Sequence, residues 1–231
     1  MSVYEPLETL LLQIDVGARE VCQRLLVELR EGFASARGSS HNHQTWDGGY
    51  LDHVTEVLNL AVLLYPVLDG KRKLPFTLSD ALLVLFLHDI EKPWRQASGW
   101  KWTKKENHAF RVKLVEERGL HLTEDQWNGL TYVEGEGDAY SPLRRVMGPL
   151  ATFCHLCDVT SARIWPDEPR ASGGWGSEVA AARAYVAREG NKNALVLLDG
   201  TRVELAEETD VTASKAQWAD AVWLVETLLK S

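Results

Sequence analysis

Cysteine is scarce in this chain. Cys22, Cys154 and Cys157 are an odd count in 231 residues, which does not build a disulfide framework and agrees with a reducing compartment. Cys154 and Cys157 form a single Cys-x-x-Cys pair. No second Cys or His pair stands at zinc-finger spacing, so both read as small core residues. Positive charge is also short: 25 Lys and Arg face 33 Asp and Glu, a net of −8. That balance argues against an extended nucleic-acid surface, which needs clustered bases. Long apolar runs are missing as well. No stretch approaches roughly 18 uncharged apolar residues, so no membrane span is expected. The opening residues, Met1 to Pro6, carry neither the basic region nor the apolar core of a secretion signal, and a cytoplasmic protein is the expectation. Internal repeats and low-complexity tracts are absent.

What is present is helical periodicity. At 45% hydrophobic residues the chain has ample material for one core. Residues 6 to 32 are rich in Leu, Glu and Arg at helical spacing. A second helix is predicted over 51 to 65, stopped by Pro66. A third runs over about 79 to 90 behind the cap-like opening Thr77-Leu-Ser-Asp80. Further helices are predicted over 104 to 118, ended by Gly119, from Thr123 onward, and over 142 to 163 with a kink or restart at Pro149. The strand–helix alternation of a parallel α/β protein does not occur, and an all-α core follows. The C-terminal third differs. Residues 194 to 206 read as two short strands around an Asp199-Gly200 turn, and 212 to 229 as a last helix presenting Trp218, Val222, Val225 and Leu229. The predicted organisation is an N-terminal helix over 1–37 packed on a core over 38–163, with a loop, β-hairpin and helix over 164–231 packed on that core.

The most informative stretch closes the third helix: Leu85-Phe-Leu-His88-Asp89-Ile-Glu91-Lys92-Pro93. Ala81 to Leu87 carry no charge, so an ionisable pair at the same depth costs several kcal/mol unless compensated. A divalent cation compensates it, because neutral imidazole and carboxylate are ordinary ligands. The alternative is a helix that opens to solvent at His88. Two other segments offer ligands. His53 falls in the first turn of the helix that follows Gly48-Gly49. Asp158 lies four residues after Cys154, beside the apolar face of its helix.

The ordered set His53, His88-Asp89, Asp158 resembles the HD-domain superfamily of metal-dependent phosphohydrolases, whose signature is H…HD…D on successive helices of an all-α core. The segment His41-x-His43-x-x-x-x-Gly48-Gly49-x-x-x-His53 is similar to that before the first ligand in HD domains fused to 3′-to-5′ exoribonucleases and in relaxase-associated HD proteins. His88-Asp-Ile-Glu-Lys-Pro is close to the His-Asp-Ile-Gly-Lys-Pro form, with Glu91 in place of glycine. Phe153-Cys-His155-Leu-Cys-Asp158 resembles the stretch ending in the last ligand. The resemblance spans about 38 to 163 and implies an all-α HD-domain helical core, here with a small C-terminal β-hairpin and helix. It also implies a divalent metal ion (Mn, Mg, Fe, Ni or Zn) on His53, His88, Asp89 and Asp158. Bimetallic members add a histidine and then a His-His pair. His108 fits the first. In place of the pair stand Tyr132-Val-Glu134-Gly-Glu136-Gly-Asp138, either hard oxygen ligands for a second metal, with Glu134 the first of them, or a solvated acidic loop.

On this reading the chain acts on a nucleotide or other small phosphoester through metal-activated water. Glu91 would orient the water or act as general base, and Lys92 would neutralise phosphate charge. For these two the alternative is an exposed ion pair at a helix end. His41 and His43 would contact phosphate or a second metal, or else are solvated loop residues. Trp102 with Lys104, in Gly99-Trp-Lys-Trp102-Thr-Lys104-Lys105, would stack on and pair with a nucleotide, or Trp102 fills the core. Two further functions remain open: an HD-type di-iron oxygenase using His108 and His121, and a non-catalytic nucleotide-binding module. Oligomeric state is not written in the sequence.

Overall fold

The computed structural model describes residues 4–40 and 43–165, and the backbone of three strands beyond them. Nine α-helices are present among the described residues. The N-terminal stretch divides into α1 (Leu7–Leu11), α2 (Val16–Glu28) and α3 (Arg30–Ser35) rather than one long helix. Next come α4 (Gly49–Lys71), α5 (Leu78–Leu87) and α6 (Lys92–Ala97). α7 (Lys104–Glu117), α8 (Glu124–Tyr132) and α9 (Pro149–Arg163) complete the core.

α5 is the axis of the fold. Past its first turn it is apolar around its whole circumference, and every residue from Ala81 to Leu87 is buried. A helix with no polar face must be surrounded, and α2, α4, α8 and α9 surround it. Its start is fixed by a capping box, Thr77 Oγ1 accepting from Asp80 N and Asp80 Oδ2 accepting from Thr77 N. The other oxygen of Asp80 accepts 2.7 Å from Gln126 Nε2, which ties α5 to α8. α7 and α8 open with capping boxes of the same kind, Thr103 with Glu106 and Thr123 with Gln126.

α4 departs from expectation at both ends. It begins two residues earlier, at Gly49, and passes through Pro66 to Lys71. Proline removes one ladder hydrogen bond, but Val62, Leu64 and Tyr65 pack on the core and hold the preceding turn. By length and average composition α4 is the one described helix apolar enough to cross a membrane, an average that a search for uninterrupted apolar runs does not register. Its N-terminal half, from Gly49 to Ala61, is buried within the protein except where Leu51 and Asp52 reach the surface. α9 starts with Pro149 at its first position, so the helix expected from 142 is confined to the part after the proline.

Three strands lie further along: β1 (Ala184–Glu189), β2 (Lys192–Leu197) and β3 (Arg202–Glu204), antiparallel in that order. β1 was not anticipated. The expected Asp199-Gly200 turn and the helix over 212–229 lie outside the described residues.

Candidate metal centre

Three segments bring the expected ligand residues together. His53 comes from the first turns of α4. It is fully buried, because Gly48 takes a left-handed conformation (φ 83°) and starts the helix deep in the fold. Gly49 has its own reason: a Cβ there would stand 2.0 Å from the Gln44 carbonyl oxygen, so only glycine lets the 38–48 loop fold onto the helix start. His88 closes α5, and Asp89 follows in the turn to α6. Asp158 comes from α9.

Their polar atoms converge. The Nε2 atoms of His53 and His88 lie 3.3 Å apart. Asp89 Oδ2 is 3.1 Å from His88 Nε2 and 3.6 Å from His53 Nε2. Asp158 Oδ1 is 3.2 Å from His53 Nε2 and 3.7 Å from His88 Nε2. Ligands bound at about 2.0 to 2.2 Å to one cation are separated by about 2.8 to 3.6 Å along the edges of its coordination polyhedron, and the observed spacings lie at or close to that range. His53, His88 and Asp89 form a buried group that can hold a metal ion. His88 donates from Nδ1 to the Leu85 carbonyl at 2.6 Å, the outer bond typical of metal-ligating histidine.

Charge tells the same story. Burial opposes an imidazolium at His88, yet the adjacent Asp89 and Asp158 carboxylates outweigh it and push the ring up to about 10. Burial holds His53 down, against the pull of Asp158. Burial disfavours ionised Asp89, but Lys92 and His88 keep it well below the usual carboxylate range. With no metal ion, the two rings thus share one positive charge between two carboxylates. Around them, Lys92 pairs with Asp89, and Arg111 pairs with Glu91 and Glu134.

The other expected residues fare unevenly. Glu91 is not poised as a base. It is fully buried, and Arg111 occupies both its oxygens, Nε to Oε2 at 2.8 Å and a terminal nitrogen to Oε1 at 2.7 Å. Nor do Glu91 and Lys92 make the exposed pair considered as the alternative. Lys92 is itself buried and ion-paired with Asp89 Oδ2. Glu134 accepts from the same Arg111 at 2.8 Å, so its carboxylate is engaged by a cation already. His108 sits part-buried on α7, outside the ligand group, where burial and nearby Arg111 hold its ring below the usual histidine value. His121 is exposed. Trp102 packs on Phe110, ring centres 5.4 Å apart, and Trp94 stands 4.9 Å from the same phenylalanine. Lys104 is exposed at the start of α7. His43 does reach the centre, its ring 4.9 Å from that of His53, and burial with the nearby Lys92 pushes it down to about 4. His41 lies outside the described residues.

Sequence reasoning missed Arg111, Glu56, Ser161 and Gln44. A signal existed for each of the first three. Arg111 shares the buried face of α7 with Asn107, Leu114 and Val115, and a buried arginine demands carboxylate partners. Glu56 follows His53 by three positions and Ser161 follows Asp158 by three, the same side of a helix in each case.

Comparison with protein-family models, with curated proteins and with solved structures found no match.

Proposed function

We propose that this chain is a metal-dependent phosphohydrolase of the HD type, acting on a mononucleotide or another small phosphoester. The observation that carries the reading is the meeting of two buried imidazole nitrogens with the buried Asp89 carboxylate, joined by the half-buried Asp158 at 3.2 Å from His53, in an H…HD…D order. The mixed nitrogen and oxygen donor set suits Mn, Fe, Ni or Zn better than an all-oxygen ion such as calcium. A cation held by these residues would acidify water and polarise a phosphoryl oxygen at neutral pH. The chain's own residues supply the rest. His53 and His88 present Nε2, Asp89 is held by Lys92 and backed by Arg111, and Asp158 faces the imidazole pair with the most exposure of the four. A net charge of −8 disfavours approach by a long polyanion.

The test is direct. After dialysis against a chelator, the protein should take up one divalent cation per chain, and Asp158→Ala should lose it while staying folded. Hydrolysis should be measured side by side on mononucleotides, small phosphodiesters and RNA or DNA strands with Mn²⁺ and Mg²⁺. A chain that binds none of these cations, or that cleaves strands and no small ester, ends this reading.

A further inference from the structure

Behind His53 the two facing helices repeat one spacing. His53 and Glu56 are three apart on α4, and Asp158 and Ser161 three apart on α9, so each helix shows one residue to the centre and the next to the layer behind it. Ser161 Oγ lies 2.8 Å from Glu56 Oε2 and 3.1 Å from His53 Nδ1, and all three residues are buried. A hydroxyl has one proton to give. A carboxylate accepts it more strongly than a neutral imidazole nitrogen does, so Ser161 donates to Glu56. Its oxygen is then an acceptor toward His53, which draws the ring proton to Nδ1 against the pull of Asp158 Oδ1, 3.2 Å from Nε2. Nε2 keeps its lone pair, and Nε2 is the atom 3.3 Å from His88 and 3.2 Å from Asp158. Gln44 closes the arrangement from the 38–48 loop. Its Nε2 lies 3.3 Å from Glu56 Oε2, from Ser161 Oγ and from the Ser161 carbonyl oxygen.

We infer that Ser161, backed by Glu56 and Gln44, is a positioning residue that fixes the tautomer and ring orientation of His53 so that Nε2 faces the cation. Its consequence for affinity rests on the metal reading above, while the tautomer itself does not. Removing such an outer partner weakens metal binding by about 10- to 100-fold.

Two measurements on the full chain separate the possibilities. Calorimetric titration with Mn²⁺ and Zn²⁺ should give a Ser161→Ala variant that binds about 10- to 100-fold more weakly, a Ser161→Thr variant restored toward wild type, and a Glu56→Gln variant weakened like Ser161→Ala. Nitrogen-15 NMR of the metal-free protein, with His53 assigned by its loss in His53→Asn, should show Nδ1 protonated in the wild type and a mixed tautomer in Ser161→Ala. If the wild type binds no cation, the metal reading fails, and the NMR result alone decides the tautomer. If the wild type binds and Ser161→Ala binds equally well with an unchanged His53 signal, the inference is overturned. Should Ser161→Ala fail to fold, Glu56→Gln carries the same comparison.

Discussion

Arg111 holds the floor of the centre. Burial disfavours its charge, yet its bonds to Glu91 and the nearby carboxylates of Asp89 and Glu134 keep it protonated well above the ordinary arginine value. Truncating it to alanine leaves Glu91 fully buried without a counter-charge, which costs about 3 to 5 kcal/mol. Replacing both partners together, Glu91→Leu with Arg111→Leu, should cost much less, since no charge is then stranded. Urea unfolding of the three variants checks this, and an Arg111→Ala protein within about 1 kcal/mol of wild type on the same principle would show that the pair carries no such strain. The cysteines give a second test. Burial pushes the Cys22 thiol up to about 12 and the other two upward as well. None of the three should react with a disulfide reagent at pH 8 in the native protein, and all three should react in denaturant. A thiol that reacts at the rate of a free cysteine in the native chain would contradict the packing. At this scale the sequence was legible for the residues that come together and misleading for their neighbours. His53, His88, Asp89 and Asp158 could be named because their order resembles H…HD…D, and their polar atoms do meet. Glu91 was misread because its partner comes from α7, twenty residues further on, and spacing does not say which side chain reaches back.

Helix starts were legible where a short-range bond fixes them, and helix ends were not where packing decides. Thr77, Thr103 and Thr123 each open a helix with a reciprocal hydrogen bond to the third residue on, a device written in four consecutive residues. Pro66 looked like a stop. It lies within α4 because contacts from other elements outweigh the one hydrogen bond it removes. The Gly48-Gly49 pair was read as punctuation and proves to be a close approach between the loop and α4. Two substitutions on this one helix should therefore move in opposite directions. Gly49→Ala drives a Cβ into the Gln44 carbonyl and should cost at least about 1 to 3 kcal/mol, as overpacking does. Gly70→Ala meets open space near the far end of α4. It should be neutral or stabilising by up to about 1 kcal/mol, because alanine restricts the unfolded chain and favours helix. Thermal unfolding of both variants gives the comparison. A destabilised Gly70→Ala beside a neutral Gly49→Ala would mean that the loop does not rest on α4 as described.

At the scale of the molecule, folding concentrates like charge. The chain carries −8, and the all-α core brings the carboxylates of Asp89, Asp158 and Glu91 together beside Lys92 and Arg111. In the unfolded chain those carboxylates are solvated, so the repulsion between them is strongest in the native state. On the proposed reading, a cation bound at the centre would lessen it and bind only the folded form, raising stability by mass action. At a free concentration of 100 times the dissociation constant the gain is about 2.7 kcal/mol. For a domain of this size each kcal/mol is worth about 2 to 4 °C in melting temperature, so the chelator-treated protein should gain about 5 to 11 °C when Mn²⁺ or Zn²⁺ is restored. Sodium chloride at equal ionic strength should not reproduce the shift, since a screened surface charge is not what the ion relieves. Asp158→Ala should abolish most of it, and Lys104→Ala, exposed on α7, should leave it intact. A melting temperature that rises equally with sodium and with the divalent ions, or equally in Asp158→Ala and wild type, would place the stabilising charge outside the His53, His88, Asp89 and Asp158 cluster.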